Sequence, residues 1–412
     1  MSGNFYKLTM KDVPITGKTV LVRADYNVPL TKDGKVADDY RIAMSVPTIK
    51  KLIENKCKVV IISHLGRPDG MVNPEFSLQP VADLLSEALG MTVTFIDDCI
   101  GQKVFMHMKN AAVGSVTLLE NLRFYPEEEA NDMDFARQLA KQTRAEYFVQ
   151  DGFGVVHRAH ASTSAITQFL PSVAGLLLER EYATITGAMK APERPLVAVL
   201  GGAKVSDKIG VIEALVDVAD TIIIGGAMAN TFLAHRGMTV GMSKVEGDQS
   251  AVIDAIYHKA AQKVGDDRVD DFIILPVDVG AGSSLEAIAT RQDVSVRAIP
   301  DTQMALDIGP ETITVIESIV RRAHTVIWNG TLGYAESPAF AAGSAALARV
   351  LAENNQSIMS VIGGGDTADF VLHWDAQGGA SFGHVSTGGG ASLELMAGDA
   401  LPGIEALLDA KQ

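Results

Sequence analysis

Short apolar runs rich in β-branched residues alternate along this chain with longer stretches of helical period. The runs at 19–23, 58–63, 115–119, 147–150, 196–200, 221–224, 271–276, 325–328 and 357–362 are apolar on successive positions. That is the pattern of strands covered on both faces. Between them, apolar spacings of three and four over 48–55, 81–89, 134–141, 206–218, 310–323 and 339–354 predict helices. Strand, helix, strand in succession predicts an α/β fold with parallel sheets, and so many strands divide better into two sheets than one. A charged helical segment over 180–195, closed by Pro192 and Pro195, is the natural boundary. The expectation is two Rossmann-like parallel-sheet domains joined by a helical hinge.

Composition narrows the function. With 412 residues, 47% hydrophobic and 21% charged, the chain has apolar material for two cores. Its 35 basic and 50 acidic side chains leave a formal charge of −15, which disfavours nucleic acid and anionic membrane as partners. Cys57 and Cys99 are too few for a disulfide framework, so a reducing compartment is expected. The first residues carry no apolar leader, and no stretch reaches the ~18–20 apolar residues of a membrane span. These features together predict a cytoplasmic protein. In so acidic a chain, a local gathering of basic residues is informative.

In open parallel sheets ligands sit beyond the carboxyl ends of the strands, so the residues after each strand matter most. In the first half, 19–23 leads into Asp25, Tyr26 and Asn27, and Arg41 follows shortly after Asp38 and Asp39. Run 58–63 leads into His64 and Arg67, 115–119 into Glu120 and Arg123, and 147–150 into Asp151, His157, Arg158 and His160. Each alone has a plain structural reading; Arg23, for instance, fits a strand residue paired with Asp25. Their recurrence at equivalent positions predicts one anion site, suited to the forked donors of arginine.

The second half places glycines there instead. Run 196–200 leads into Gly201, Gly202, Lys204 and Lys208, with the lysines four apart on one face of the turn that follows. Gly225 and Gly226 follow 221–224, and Asn329, Gly330 and Glu336 follow 325–328. Gly363, Gly364, Gly365, Asp366 and Thr367 follow 357–362 and open a helix over 368–374. Glycines at a helix N-terminus let amides approach phosphate. Asp366 fits a helix N-cap, but beside phosphates a carboxylate needs a bridging cation, which makes it the Mg²⁺ candidate. A further glycine run, 388–390, precedes the last long helical stretch.

In order along the chain, these motifs resemble those of phosphoglycerate kinases. The segments that carry the resemblance are 23–29, 63–68, 120–124, 157–162, 201–208, 328–330, 363–367 and 386–392. The resemblance implies an acid-binding domain over 1–180, a nucleotide-binding domain over 181–390, and a segment 391–412 that returns to the first domain. It implies that Asp25, Asn27, Arg41, His64, Arg67, Arg123 and Arg158 hold 3-phosphoglycerate. It further implies that Gly202, Lys204, Lys208, Gly226, Asn329, Glu336, Gly364, Gly365, Asp366 and Thr367 meet ATP or ADP and its Mg²⁺, with Asp366 the metal ligand. Three places depart from the family pattern. Thr331 to Ala335 replace a usual Pro-Met-Gly-Val-Phe. Gly152, Val155 and Val156 stand in a usual Asp-Ala-Phe-Gly-Thr-Ala. Asp369 occupies a position that is usually small and uncharged.

The expected reaction is reversible phosphoryl transfer between 1,3-bisphosphoglycerate and ADP, giving 3-phosphoglycerate and ATP. Its acceptor is a carboxylate, which ordinarily titrates near ~4, so no general base is required. Arg41, Lys204 and Lys208 would be the catalytic side chains, stabilising charge in an in-line transfer within a cleft closed by hinge motion. Two complete domains need no partner to close a site, so a monomer is expected. A dehydrogenase is the rival on the same fold class, but Gly280-Ala281-Gly282 lacks the third glycine of the dinucleotide fingerprint. A non-catalytic anion-binding protein is the other rival.

Overall fold

A computed structural model of the chain describes residues 5–285 and 291–410. It divides into two compact units, the chain passing from one to the other between Ala183 and Thr184 and returning between Asp399 and Ala400. The helix Leu176–Lys190 contains the first crossing.

The N-terminal unit is built on β1 (Thr19–Arg23), β2 (Lys58–Ile62), β3 (Val93–Ile96), β4 (Val116–Leu119), β5 (Tyr147–Gln150) and β6 (Ser172–Ala174). They form one parallel sheet in the order β3-β4-β2-β1-β5-β6. Alternate residues feed two cores: Val20, Val22, Val59, Ile61 and Val149 on one face, Leu21, Val60, Ile62, Leu119 and Phe148 on the other. That double burial explains why the strands read as unbroken apolar runs. Residues 400–410 belong here: Leu8 N–H donates to Leu408 O at 2.7 Å, Ala410 N–H to Tyr6 O at 3.0 Å, and Lys7 pairs with Asp409 at 2.7 Å.

The C-terminal unit contains β7 (Leu196–Leu200), β8 (Thr221–Ile224), β9 (Ile273–Ile274), β10 (Asp278–Gly282), β11 (Gln292–Ser295), β12 (Met304–Ile308), β13 (Thr325–Asn329), β14 (Met359–Gly363) and β15 (His384–Val385). Six of these form a second parallel sheet, β15-β14-β13-β7-β8-β9. The architecture is thus two parallel α/β sheets, as the pattern of runs predicts. The antiparallel sheet β11-β10-β12 beside them was not legible. It takes up Gly280 and Gly282 as strand residues, so the one glycine pair that hinted at a dinucleotide fingerprint makes no strand-to-helix turn.

Several boundaries differ from expectation. The predicted helix over 48–55 begins at Tyr40 and contains Pro47, because packing outweighs one lost amide bond. The run 271–276 is mostly not strand: a helix continues to Phe272, and only Ile273–Ile274 pairs. Residues 391–397 lie in the helix Gly390–Ala397, on the C-terminal unit's side of the second crossing.

In each parallel sheet the onward connections lead away to opposite sides from one neighbouring pair of strands, β1 and β5 or β7 and β13, the reversal point of that sheet. Carboxyl ends at such a point leave a crevice, the usual ligand position in open α/β sheets.

Candidate active site

At the first reversal point the backbones are nearly in contact. Asp151 N–H and Gly152 N–H both donate to Arg23 O, at 2.9 and 2.8 Å. A Cβ on Gly152 would lie 3.0 Å from Ala24 C and 3.1 Å from Asp25 N. Asp25 therefore leaves β1 from a fixed position, and its buried carboxylate accepts from Arg41 at 2.8 Å. Arg41 is the second residue of the helix Tyr40–Glu54. Asn27 Oδ1 accepts from the Gly66 amide at 2.9 Å, and Arg123 donates to Gly66 O at 2.8 Å while pairing with Glu129 at 2.9 Å. His64 Nδ1 lies 4.0 Å from Asp25.

Burial depresses the proton affinity of Arg123, and the exposed Arg158 and Arg67 add to that effect. The same arginines act on the histidines. Burial, then Arg23, Arg123 and Arg41, push His64 well below its ordinary range. Burial, then Arg23, Arg123 and Arg158, push His160 down to about 4. Both rings are held toward the neutral form, and His64 Nδ1 lies 3.3 Å from Arg23 Nη2. Residues from four separate loops and the first turn of one helix thus gather in one arginine-lined basin.

Reading the sequence missed part of what supports this basin. Arg23 is fully buried, and its counter-ion is Glu128 at 3.9 Å, not Asp25 as the plain reading supposed. Its Nε donates to Ser162 Oγ at 2.8 Å, and Ser162 in turn donates to Glu128 through its amide and hydroxyl, at 3.0 and 2.5 Å. Burial raises the pKa of Glu128 while Arg23 opposes that shift. An arginine at the end of an otherwise apolar strand was the available signal. Glu128 gave none, lying among Glu127 and Glu129 in an acidic run.

At the second reversal point, Gly201 N–H donates to Asn329 O and Gly202 N–H to Thr331 O, each at 2.9 Å. Gly202, Gly226, Gly330 and Gly364 all have positive φ, between +61° and +92°. A Cβ on Gly226 would meet Gly202 N and Thr331 O at 2.7 Å, backbone on two sides, so only glycine fits. Lys208 Nζ lies 3.3 Å from where a Cβ on Gly202 would stand. Burial lowers its pKa, with the charges of Asp207 and Asp366 opposing. Thr367 Oγ1 accepts from Gly330 N–H at 2.7 Å. Asn329 is buried, its Nδ2 has no hydrogen-bond partner, and a Cβ on Gly364 would stand 3.2 Å from it. An unpaired buried donor beside a glycine turn fits a bound acceptor such as a phosphate oxygen.

Two expectations change here. Residues 206–208 form a 3₁₀ turn before the helix Ile209–Val218, and Glu246 takes the Val205 and Ser206 amides at 2.7 and 3.1 Å. Those two amides are therefore occupied by a carboxylate and are not open to an anion. Asp366 lies in the first turn of Gly365–Trp374, whose N-cap is Gly364, so Asp366 is not the cap. Its exposed carboxylate is free to face a ligand. Gly365 is exposed too, while Lys204 and Glu336 are exposed outside the glycine contacts. The glycine run ends in Gly389 at φ +48°, and Ser392 Oγ lies 3.0 Å from where a Cβ on Gly363 would stand.

Comparison with known proteins decides the family. The family profile of phosphoglycerate kinase matches residues 10–399. The chain belongs to the phosphoglycerate kinase family. It is 47% identical over 403 residues to the phosphoglycerate kinase of Pelotomaculum thermopropionicum, covering 98% of this chain and 99% of that one. With the phosphoglycerate kinase of Pseudothermotoga lettingae it shares 45% over 407 residues, 98% of this chain and 100% of the other. Among solved structures, that of the Coxiella burnetii phosphoglycerate kinase matches with TM-score 0.82 and 37% identity, over 97% of this chain and 98% of that one. The Pyrococcus horikoshii phosphoglycerate kinase matches with TM-score 0.81 and 30% identity over the same shares. Phosphoglycerate kinases transfer a phosphoryl group reversibly between 1,3-bisphosphoglycerate and ADP, a step of glycolysis.

Proposed function

We propose that this chain performs the phosphoglycerate kinase reaction with a division of labour between its two units. The N-terminal unit, with its returning segment 400–410, would hold 3-phosphoglycerate, and the C-terminal unit, 184–399, ATP or ADP. The observation that carries this reading is the basin at the β1/β5 reversal point, a concentration of cationic side chains in a chain of net charge −15.

Arg67, Arg123 and Arg158 suit the phosphate of 3-phosphoglycerate, while Asp25 and Asn27 accept from its hydroxyl or fix their neighbours. The neutral rings of His64 and His160 add contacts without adding charge. The glycine turns at Gly202, Gly226 and Gly364 admit nucleotide phosphates close to the backbone, with Lys204 and Lys208 as counter-charge. Glu336 would accept from ribose hydroxyls.

The donor set also suits Mg²⁺, a hard cation that takes one or two carboxylates along with phosphate oxygens. Asp366 would hold it, and the bound ion supplies charge neutralisation to the phosphates. Because the acceptor carboxylate is ionised at neutral pH, the protein need not remove a proton. Arg41, Lys204 and Lys208 act by placing positive charge against the phosphoryl group in transit, in an in-line transfer. Two substrates on two units require closure at the connecting helix, which also excludes water.

Among the described residues no helix is long and apolar enough to cross a membrane, and Cys57 and Cys99 are free and buried. Both suit a cytoplasmic enzyme; a monomer without nucleic-acid or membrane partners completes the proposal. A coupled assay of ADP formation from ATP, Mg²⁺ and 3-phosphoglycerate tests it. Turnover that requires 3-phosphoglycerate supports the reading, and hydrolysis of ATP at the same rate without it would overturn it.

A further inference from the structure

Where the connecting helix Leu176–Lys190 starts, three elements of the N-terminal unit meet on one carboxyl group. Asp151, directly after β5, is buried, and its Oδ1 accepts from the Thr48 hydroxyl at 2.9 Å and from the Leu177 amide at 3.0 Å. Thr48 Oγ1, fully buried as well, accepts from the Leu176 amide at 3.1 Å. The amides of the connecting helix's first residues are thus satisfied by a threonine of another helix and an aspartate at the sheet edge. Gly175 makes this possible, because a Cβ there would strike the Asp151 carboxylate.

The helix that carries Thr48 also carries Arg41. Seven residues separate them, two turns along one face, so a shift that moves Thr48 carries Arg41 with it. Asp151 is equally fixed on its other side, its amide donating to Arg23 O at 2.9 Å beside Asp25, the partner of Arg41. The crossing between the two units falls within the connecting helix, two turns beyond this junction.

We infer that Thr48 and Asp151 are positioning residues that make the first turn of the connecting helix and Arg41 move as one piece. This rests on the reading of Arg41 as a ligand of the acid substrate. Neither residue touches substrate. Their bonds convert a displacement of the connecting helix into a displacement of the Arg41 guanidinium relative to the basin, so Arg41 reaches its working position only with that helix in place.

The test compares Thr48→Val, which keeps the volume and removes the hydroxyl, with Thr48→Ser, which keeps the hydroxyl, and with Asp151→Ala. Misplacing a catalytic group by 1 Å costs about a hundredfold, and loss of one bridge predicts a fraction of that shift. Thr48→Val is expected to lower kcat and raise the KM for 3-phosphoglycerate roughly tenfold, with the KM for ATP unchanged. Thr48→Ser should restore most of the loss, and Asp151→Ala, if folded by circular dichroism, should match Thr48→Val. A wild-type KM for 3-phosphoglycerate in Thr48→Val, equal losses for both substrates, or no rescue by serine would overturn the inference. Arg41→Ala separates the two levels. If it raises the KM for 3-phosphoglycerate and Thr48→Val does not, the junction fails while the site reading stands. If Arg41→Ala leaves that KM unchanged, the site reading itself fails.

Discussion

Gly152 stands where the family pattern usually has alanine, and the structure shows what a methyl group would meet. Its φ of −83° is open to any residue, so Gly152→Ala brings no backbone strain. The new Cβ would lie 3.0 Å from Ala24 C, 3.1 Å from Asp25 N and 3.3 Å from Ala24 O, all main-chain atoms. These atoms have little freedom to retreat: Ala24 N–H is bonded to Ile62 O at 3.0 Å and Tyr26 N–H to Ser63 Oγ at 2.8 Å. Two effects of opposite sign compete. Alanine reduces the entropy of the unfolded chain and stabilises by ~0.4–1 kcal/mol. Overpacking of a close-packed site costs ~1–3 kcal/mol. Because all three contacts fall on one hydrogen-bonded peptide, Ala24–Asp25, the second effect is the larger, leaving a net loss of ~1 kcal/mol. Whatever yields carries Asp25 away from Arg41 by a few tenths of an ångström, which should raise the KM for 3-phosphoglycerate severalfold. Urea unfolding gives the first quantity and steady-state kinetics the second. A variant stabilised by ~0.5 kcal/mol or more, with unchanged KM, would show that the strands are not this close and refute the reasoning.

Arg67→Ala should raise the KM for 3-phosphoglycerate ten- to a hundredfold, from the ~1.5–3 kcal/mol of a charge-assisted hydrogen bond, and leave the KM for ATP near wild type. Equal losses for both substrates would contradict the division of labour. Burial raises the pKa of Asp151 to about 7, and its Oδ2 has no partner. The folded state therefore binds the proton more tightly than the unfolded one, and stability falls as pH rises from about 4 through 7. Asp151→Asn should flatten that fall, worth on the order of 2–4 kcal/mol, in urea titrations at pH 5 and 8; parallel slopes in the two proteins would count against it. Asp369 is exposed, with its Oδ1 3.4 Å from His373 Nδ1, so Asp369→Ala should leave the Mg²⁺ dependence of ADP binding unchanged. Calorimetric titration with and without Mg²⁺ checks this, and tighter binding of metal-free ADP by the variant would show that Asp369 acts on the metal site.

The sequence by itself determined the class of fold and named candidates for the site. Strands buried on both faces must be apolar on every position, so β1, β2, β5, β7 and β13 were legible without any partner in view. The glycines at 202, 226 and 364 were equally legible as a group, since so many after apolar runs signal backbone turns. Strands whose pattern is set by their neighbours were not: β3 pairs with β4 at the edge of its sheet, and the antiparallel β10, β11 and β12 take their register from one another. The residues beneath the basin divide in the same way. Arg41, His64 and Arg123 could be named from what they follow in the chain. Glu128 as the partner of Arg23, Glu246 on the Val205 amide, and Thr48 against Asp151 depend on pairings between distant segments. Such pairings are fixed only when the cores close, because a buried charge or amide takes whichever partner packing delivers to it. Local pattern carries the burial of the apolar residues, and tertiary structure alone decides which polar groups are buried with them and what each one faces.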